Sequence, residues 1–131
     1  MLKRTKLTVT TTGSAGSASG SATTDFPICG RIVRVDIDYH ASAPATTDVT
    51  LSEVDDLIAT NIVSLAGQNT DKQVYPTVGL TDNGGTARTY DGTRPVVDYY
   101  PVCDKLTLSV AQCDALTAAV VAMIYYEDGG K

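Results

Sequence analysis

The sequence predicts an all-β domain, an antiparallel β-sandwich of jelly-roll-like form with about 8–10 short strands. Three observations predict it. Residues 82–127 read as strand after strand, with Thr, Val, Tyr and Ile in short runs broken by Gly, Pro and Asp. Residues 31–40 and 105–110 alternate apolar and polar side chains with the period of two that a half-buried strand imposes. The closing run, residues 116–127, is apolar on both faces, as a strand is inside a two-layer core or beneath another subunit. With 131 residues the chain is a single domain, 1–131, and folding hides roughly two-thirds of the surface its unfolded form exposes.

Each element follows from local chemistry. In residues 5–12, Leu7 and Val9 share one face against Lys6, Thr8 and Thr10. Residues 13–24 contain only Gly, Ser, Ala and Thr, and read either as a small-residue strand packed closely on a neighbour or as a mobile surface loop. Residues 31–40 place Val33, Val35, Ile37 and Tyr39 on one face, with Ile32, Arg34, Asp36, Asp38 and His40 on the other. A turn around Pro44 follows, then a strand over 46–51 with Val49 and Leu51 inward. Residues 52–66 carry a helix-start pattern (Ser52, Asp55) and also strand-like alternation; a turn at 53–56 followed by a strand is the favoured reading. Residues 73–80 form a strand whose Pro76 implies an edge or a bulge. Asn83-Gly84-Gly85 is a tight turn, 86–90 a short strand, and 96–100 a strand that ends at Pro101. Leu106, Leu108 and Val110 face inward, and in the last strand Val120, Ala122, Ile124 and Tyr126 oppose Ala119, Val121, Met123 and Tyr125.

Composition excludes more than it includes. A net charge of −5 argues against a nucleic-acid backbone as partner. The basic cluster Lys3, Arg4 and Lys6 reads as a short arm at 1–6, and no apolar stretch follows it as in a signal peptide. The apolar run 118–126 is too short to span a bilayer, so no membrane partner is expected, and the chain reads as soluble and made in a cytoplasm. Three cysteines make an odd number without C-x-x-C spacing; buried free thiols are favoured, with a Cys103–Cys113 bridge as the alternative.

No catalytic set converges. Asp36-x-Asp38-x-His40 places three potential ligands in a row, but a straight row diverges, and an exposed polar face explains it without a metal. Asp55-Asp56 reads as solvated turn ends rather than an acid–base pair. His40 is the sole imidazole, and neither a Gly-x-Ser-x-Gly elbow nor a phosphate-binding Gly-Lys-Thr ending exists. No enzyme, cofactor or metal is therefore expected. Seven tyrosines stand out: in Tyr99-Tyr100 and Tyr125-Tyr126 one ring of each pair reads as core and the other as interface. A sugar-binding platform is the rival, marked by a groove lined by Tyr75, Tyr99 or Tyr100, although Trp is absent.

The stretches Asp38-Tyr39-His40-Ala41-Ser42-Ala43-Pro44-Ala45-Thr46-Thr47-Asp48-Val49 and Tyr90-Asp91-Gly92-Thr93-Arg94 resemble small virion proteins of tailed bacteriophages. So do Ser109-Val110-Ala111-Gln112-Cys113-Asp114-Ala115, the closing Ile124-Tyr125-Tyr126-Glu127 and the opening Thr8-Val9-Thr10-Thr11 with its Gly/Ser/Ala segment. The resemblance covers most of the chain and is weakest over 52–68. It implies a capsid decoration (cement) protein on the virion surface, with the major capsid protein and a homotrimer of itself as partners. A tail or neck component and a carbohydrate-binding module on the virion are the alternatives. Under that reading Lys3, Arg4, Lys6, Thr8 and Thr10 are the capsid-contact candidates, the threonines within an edge strand at 8–12. Val121, Met123 and Tyr125 are the self-association candidates.

Overall fold

A computed structural model describes residues 1–129, and these build two antiparallel sheets packed face to face. The larger sheet runs in the order β1 (Leu2–Val9), β10 (Val120–Asp128), β3 (Ile28–Tyr39), β8 (Val97–Asp104) and β7 (Thr77–Gly79), with β6 (Lys72–Val74) paired on β3. The smaller sheet runs β2 (Ala18–Thr23), β9 (Leu106–Cys113), β4 (Asp48–Glu53) and β5 (Asn61–Leu65). The expected all-β sandwich is the observed fold. The chain crosses between sheets at β1–β2, β2–β3, β3–β4, β5–β6, β8–β9 and β9–β10.

The core lies between the sheets. Val9, Val35, Ile37, Val120 and Ile124 from the larger sheet meet Val49, Leu51, Leu106, Leu108 and Val110 from the smaller, each at most 2% exposed. Each such side chain stabilises the fold by about 1.5–3 kcal/mol through burial. The inward faces expected for 105–110 and for Val120, Ala122, Ile124 and Tyr126 are those observed. Thr11, buried where β1 leaves the sheet, has its hydroxyl satisfied by the Asp114 carbonyl at 2.6 Å and the Leu116 amide at 3.0 Å.

Several local expectations are corrected. Val33 is not a core residue; Ile32 is. β10 pairs Tyr125 with Arg34 but Tyr126 with Ile32, so β3 carries an extra residue there. Such a bulge reverses the in–out phase of a strand, which uninterrupted alternation cannot show. β8 does not stop at Tyr100: it continues through Pro101, because β7 reaches only Val97, Asp98 and Tyr99 on the side away from β3. The missing amide there costs no ladder bond. The strand expected over 73–80 is two strands, with Tyr75 and Pro76 at the corner where pairing passes from β3 to β8. The last strand begins at Val120, after a turn in which Ala118 takes φ 52°. The edge strand expected at 8–12 lies earlier, at Leu2–Val9, so residues 2–6 belong to the sheet rather than to a detached arm.

The Gly/Ser/Ala segment divides. Residues 13–17 turn, and Ala18–Thr23 form β2 against β9. The small residues are required there: a Cβ on Gly20 would collide with the carbonyl oxygen of Thr10. Residues 52–66 hold no helix: β4 ends at Glu53, a turn and loop cover 54–60, and β5 follows at Asn61–Leu65, which is the turn-then-strand order favoured from the sequence.

The cysteine expectation is also corrected. Cys29 and Cys103 are register partners on β3 and β8 and form a disulfide, while Cys113 is the buried free thiol. A Cys103–Cys113 bridge is excluded because β8 and β9 lie in different sheets. Cys103 is beside the crossover, and Cys113 is at the far end of β9, about 25 Å along the strand.

Tyr39 yields a pH prediction. Its ring is buried at 6% exposure, and its hydroxyl makes no hydrogen bond to the described residues. Burial foremost, then the Asp71 and Asp48 carboxylates, push its phenol up to about 12. The folded chain therefore holds this proton more tightly than the unfolded chain, whose tyrosines ionise near 10. The contribution is complete below pH 10 and is lost as pH rises toward 12. Urea midpoints should fall across this window more steeply for the wild type than for Tyr39→Phe, and parallel slopes would refute the assignment.

Candidate functional site

The outer face of the larger sheet carries the chemistry. Along β10, Val121, Met123 and Tyr125 point away from the core and are half-buried. They lie between Thr8, Lys6 and Arg4 of β1 and Asp38, Asp36 and Arg34 of β3. At one end of this face Tyr75, Tyr99, Tyr125, Arg34, Val33 and Leu2 line an open hollow of about 210 Å³. The β3 bulge contributes directly, since it brings Val33 out of the core and into this wall.

Arg34 is held in place from two sides. Its Cζ stands 4.1 Å from the centroid of the Tyr125 ring, and its Nε is 3.0 Å from Asp36 Oδ1. Hydrogen bonding toward Tyr125 is the largest effect and raises its pKa; burial opposes that, and the Asp36 carboxylate adds a weaker upward effect. Tyr75 and Tyr99 are 59% and 44% exposed, so their rings are open to a ligand.

Two further hollows adjoin. Asp36, Asp38, Asp71, Lys72 and Gln73 line one of about 290 Å³, whose Asp36 pairs with Arg34 of the first. Thr77, Val97, Asp98 and Tyr99 line another of about 220 Å³, with Tyr99 as the shared wall. Tyr99 and the Arg34–Asp36 pair link the three, and together they are called the trough.

The second candidate surface is the excursion between β7 and β8. Residues 79–95 are all exposed, yet ordered by their own backbone. Leu80 and Val96 bond at 2.8 Å, Arg88 and Leu80 at 2.8 Å, and Asp82 and Thr86 at 2.9 Å. Its second turn, Tyr90-Asp91-Gly92-Thr93-Arg94, is a knob held by its own side chains: Asp91 Oδ1 accepts the Thr93 and Arg94 amides, and Oδ2 accepts Arg94 Nε. These bonds, the Arg94 amide foremost, hold the Asp91 carboxyl below its usual range. Arg94 stacks 5.2 Å from the Tyr90 ring centroid.

The sequence candidates distribute unevenly. Tyr75 and Tyr99 do line one hollow, whereas Tyr100 turns toward the core. Arg4, Lys6 and Thr8 share the outer face of β1. Lys3 lies out of phase with them and pairs with Asp128, and Thr10 lies beyond the strand, accepting the Ala118 amide. Asp36, Asp38 and His40 do not converge: Asp36 engages Arg34, and His40 Nδ1 accepts the Ser42 amide. No group of three or more His, Cys, Asp or Glu side chains suited to a metal exists among the described residues. Sequence reasoning missed Arg34 and Leu2 as groove residues. An Arg two residues before an Asp on one strand, with Tyr-Tyr on another, is the only signal the sequence offers for them.

No protein-family model and no curated protein matches the sequence. Among solved structures the fold is similar to a variant of the family 29 carbohydrate-binding module CBM29-2, at 8% identity and TM-score 0.37, covering 96% of this chain and 81% of that one. It is similar to the family 32 module of C. perfringens NanJ in complex with galactose, at 9% identity and TM-score 0.37, covering 95% and 93%. It is also similar to the enzymatically active domain of tailspike protein 4 of bacteriophage CBA120, at 13% identity and TM-score 0.36, covering 96% and 19%.

Proposed function

We propose that this chain is a non-catalytic structural protein of a tailed-bacteriophage virion, a decoration protein that binds the capsid surface at subunit junctions. The observation that carries the reading is the excursion over residues 79–95: it is ordered and wholly exposed, and it ends in a preorganised Tyr–Arg knob. Such a segment covers none of its own core, and Tyr and Arg are the residues that anchor interfaces. The knob is also one of the stretches that resemble phage virion proteins. Arg4, Lys6 and Thr8 on the edge strand β1 supply a second contact, by strand addition to an acidic segment of the major capsid protein. A homotrimer suits the three-fold positions of an icosahedral shell.

Because residues 2–9 form β1 over β10, charge reversal tests the contact better than truncation. Arg4→Glu with Lys6→Glu should weaken co-sedimentation with empty heads by about tenfold at low salt, with the far-UV spectrum unchanged. Undiminished binding would sink the β1 contact, and sedimentation with tails instead of heads would reassign the chain to a tail or neck component.

A second reading has its own observation. The exposed rings of Tyr75 and Tyr99 line a trough on the outer face, which supports a carbohydrate-binding module on the virion. Retention of the protein on immobilised glycans is its test.

A further inference from the structure

We infer that the trough takes an uncharged oligosaccharide, bound along its length over the rings of Tyr75 and Tyr99; this rests on the second reading above. Three features point to that ligand class.

The first is shape. The hollows, two of them sharing Tyr99 and the third linked through the Arg34–Asp36 pair with one residue in each, are open at the surface rather than enclosed. An extended chain fits such linked open hollows better than a compact metabolite, which is normally enclosed over most of its surface. The second is the wall. Exposed tyrosine faces present a negative π surface to the C–H groups on the apolar face of a pyranose, and their hydroxyls remain available to its edge.

The third is charge, and it sets the class. The carboxylates lining the trough are Asp36, Asp38, Asp71 and Asp98, against Arg34 and Lys72. The charge of Arg34 is already met by Asp36 and by the Tyr125 face, and Asp98 has Arg31 at 3.5 Å. The carboxylates accept hydrogen bonds and cannot donate them at neutral pH. With Asp36 paired to Arg34 and Asp98 to Arg31, Asp38 and Asp71 face Lys72 alone, which leaves acceptors for hydroxyl and amide donors and a net negative lining that disfavours a uronate or a sialic acid. Among the described residues that line the aromatic hollow, Arg34 is the one cation, and it is already engaged by Asp36 and Tyr125.

The test uses the full chain on an array carrying neutral hexose and N-acetylhexosamine oligomers beside sialylated and uronate-bearing ones, followed by calorimetry on each hit. Neutral glycans should be retained and acidic ones not, with affinity changing less than about twofold between low and high salt. Tyr99→Ala and Tyr75→Ala should each weaken binding by about tenfold, and Tyr99→Phe by much less. Because both rings are exposed, circular dichroism should report an intact fold. Retention of acidic glycans alone would overturn the charge assignment while leaving the carbohydrate reading in place. Binding indifferent to both alanine variants would overturn the site, and an array that retains nothing would overturn the inference and the reading together.

Discussion

Gly30→Ala is expected to destabilise the domain by about 3 kcal/mol, near the upper end of what single substitutions do, and Gly30→Val by more. Gly30 occupies β3, the strand flanked by both β10 and β8, where it faces Asp128 on one side and Val102 on the other. A Cβ there would be driven into the carbonyl oxygen of Glu127, and would stand 2.9 Å from its carbon and 3.0 Å from the Gly129 amide nitrogen. These are backbone atoms, so no side chain can swing aside. Relief requires the end of β10 to lift, which gives up the bond from the Asp128 amide to the Met1 carbonyl and from the Gly129 amide to the Cys29 carbonyl. The backbone angle, φ 156°, adds to the preference for glycine. Gly79→Ala is the control, since a Cβ at Gly79 meets nothing within 4 Å. Urea unfolding of both variants reads the comparison, and equal midpoints would remove the close-approach argument.

Gly30 also shows where sequence reasoning stops. The sandwich was legible because Leu106, Leu108 and Val110, and Val120, Ala122 and Ile124, alternate without interruption across strands that lie in register. The side chain's own periodicity carries that information. What failed to show are the places where a second strand dictates the outcome. The extra residue of β3 opposite Tyr125 and Tyr126 reversed Val33 and Ile32, although Arg31 to His40 read as one unbroken pattern. Pro101 sits within β8 only because β7 stops short of it. Gly20 of the small-residue segment answers to the Thr10 carbonyl, which is close in sequence yet invisible in the segment's own composition. The trough was half legible on the same grounds. Tyr75 and Tyr99 could be named as exposed rings, but their meeting with Arg34 and Leu2 depends on the sheet order β1–β10–β3–β8. Cysteine pairing depends on that order as well, since nothing local to Cys29 or Cys103 indicates that β3 and β8 are neighbours.

Reducing the Cys29–Cys103 bond is expected to lower stability by roughly 3–4 kcal/mol, a large part of the 5–15 kcal/mol typical of a domain. The effect acts on the unfolded chain. The bond closes a loop across 74 residues of sequence separation, and opening it returns that conformational freedom to the unfolded state. The folded state should change little, because β3 and β8 remain paired from Ile28–Asp104 to Ile32–Tyr100 and the core lies on the opposite side of the sheet. Both half-cystines are exposed, so a reductant can reach the bond without unfolding the domain. Urea titrations with and without dithiothreitol should therefore differ in midpoint while the far-UV spectrum in buffer stays the same. Cys29→Ser should match the reduced wild type and lose its response to the reductant, whereas a variant at the buried, unpaired Cys113 should keep that response. Midpoints that coincide with and without reductant would show that the bond contributes nothing. The position of the bond also bears on the proposed role. Cytoplasmic thiols stay reduced, and disulfides persist in oxidising surroundings. Under the proposed role, a cross-link at this exposed position adds its stability, once the surroundings become oxidising, to a chain already folded around its core.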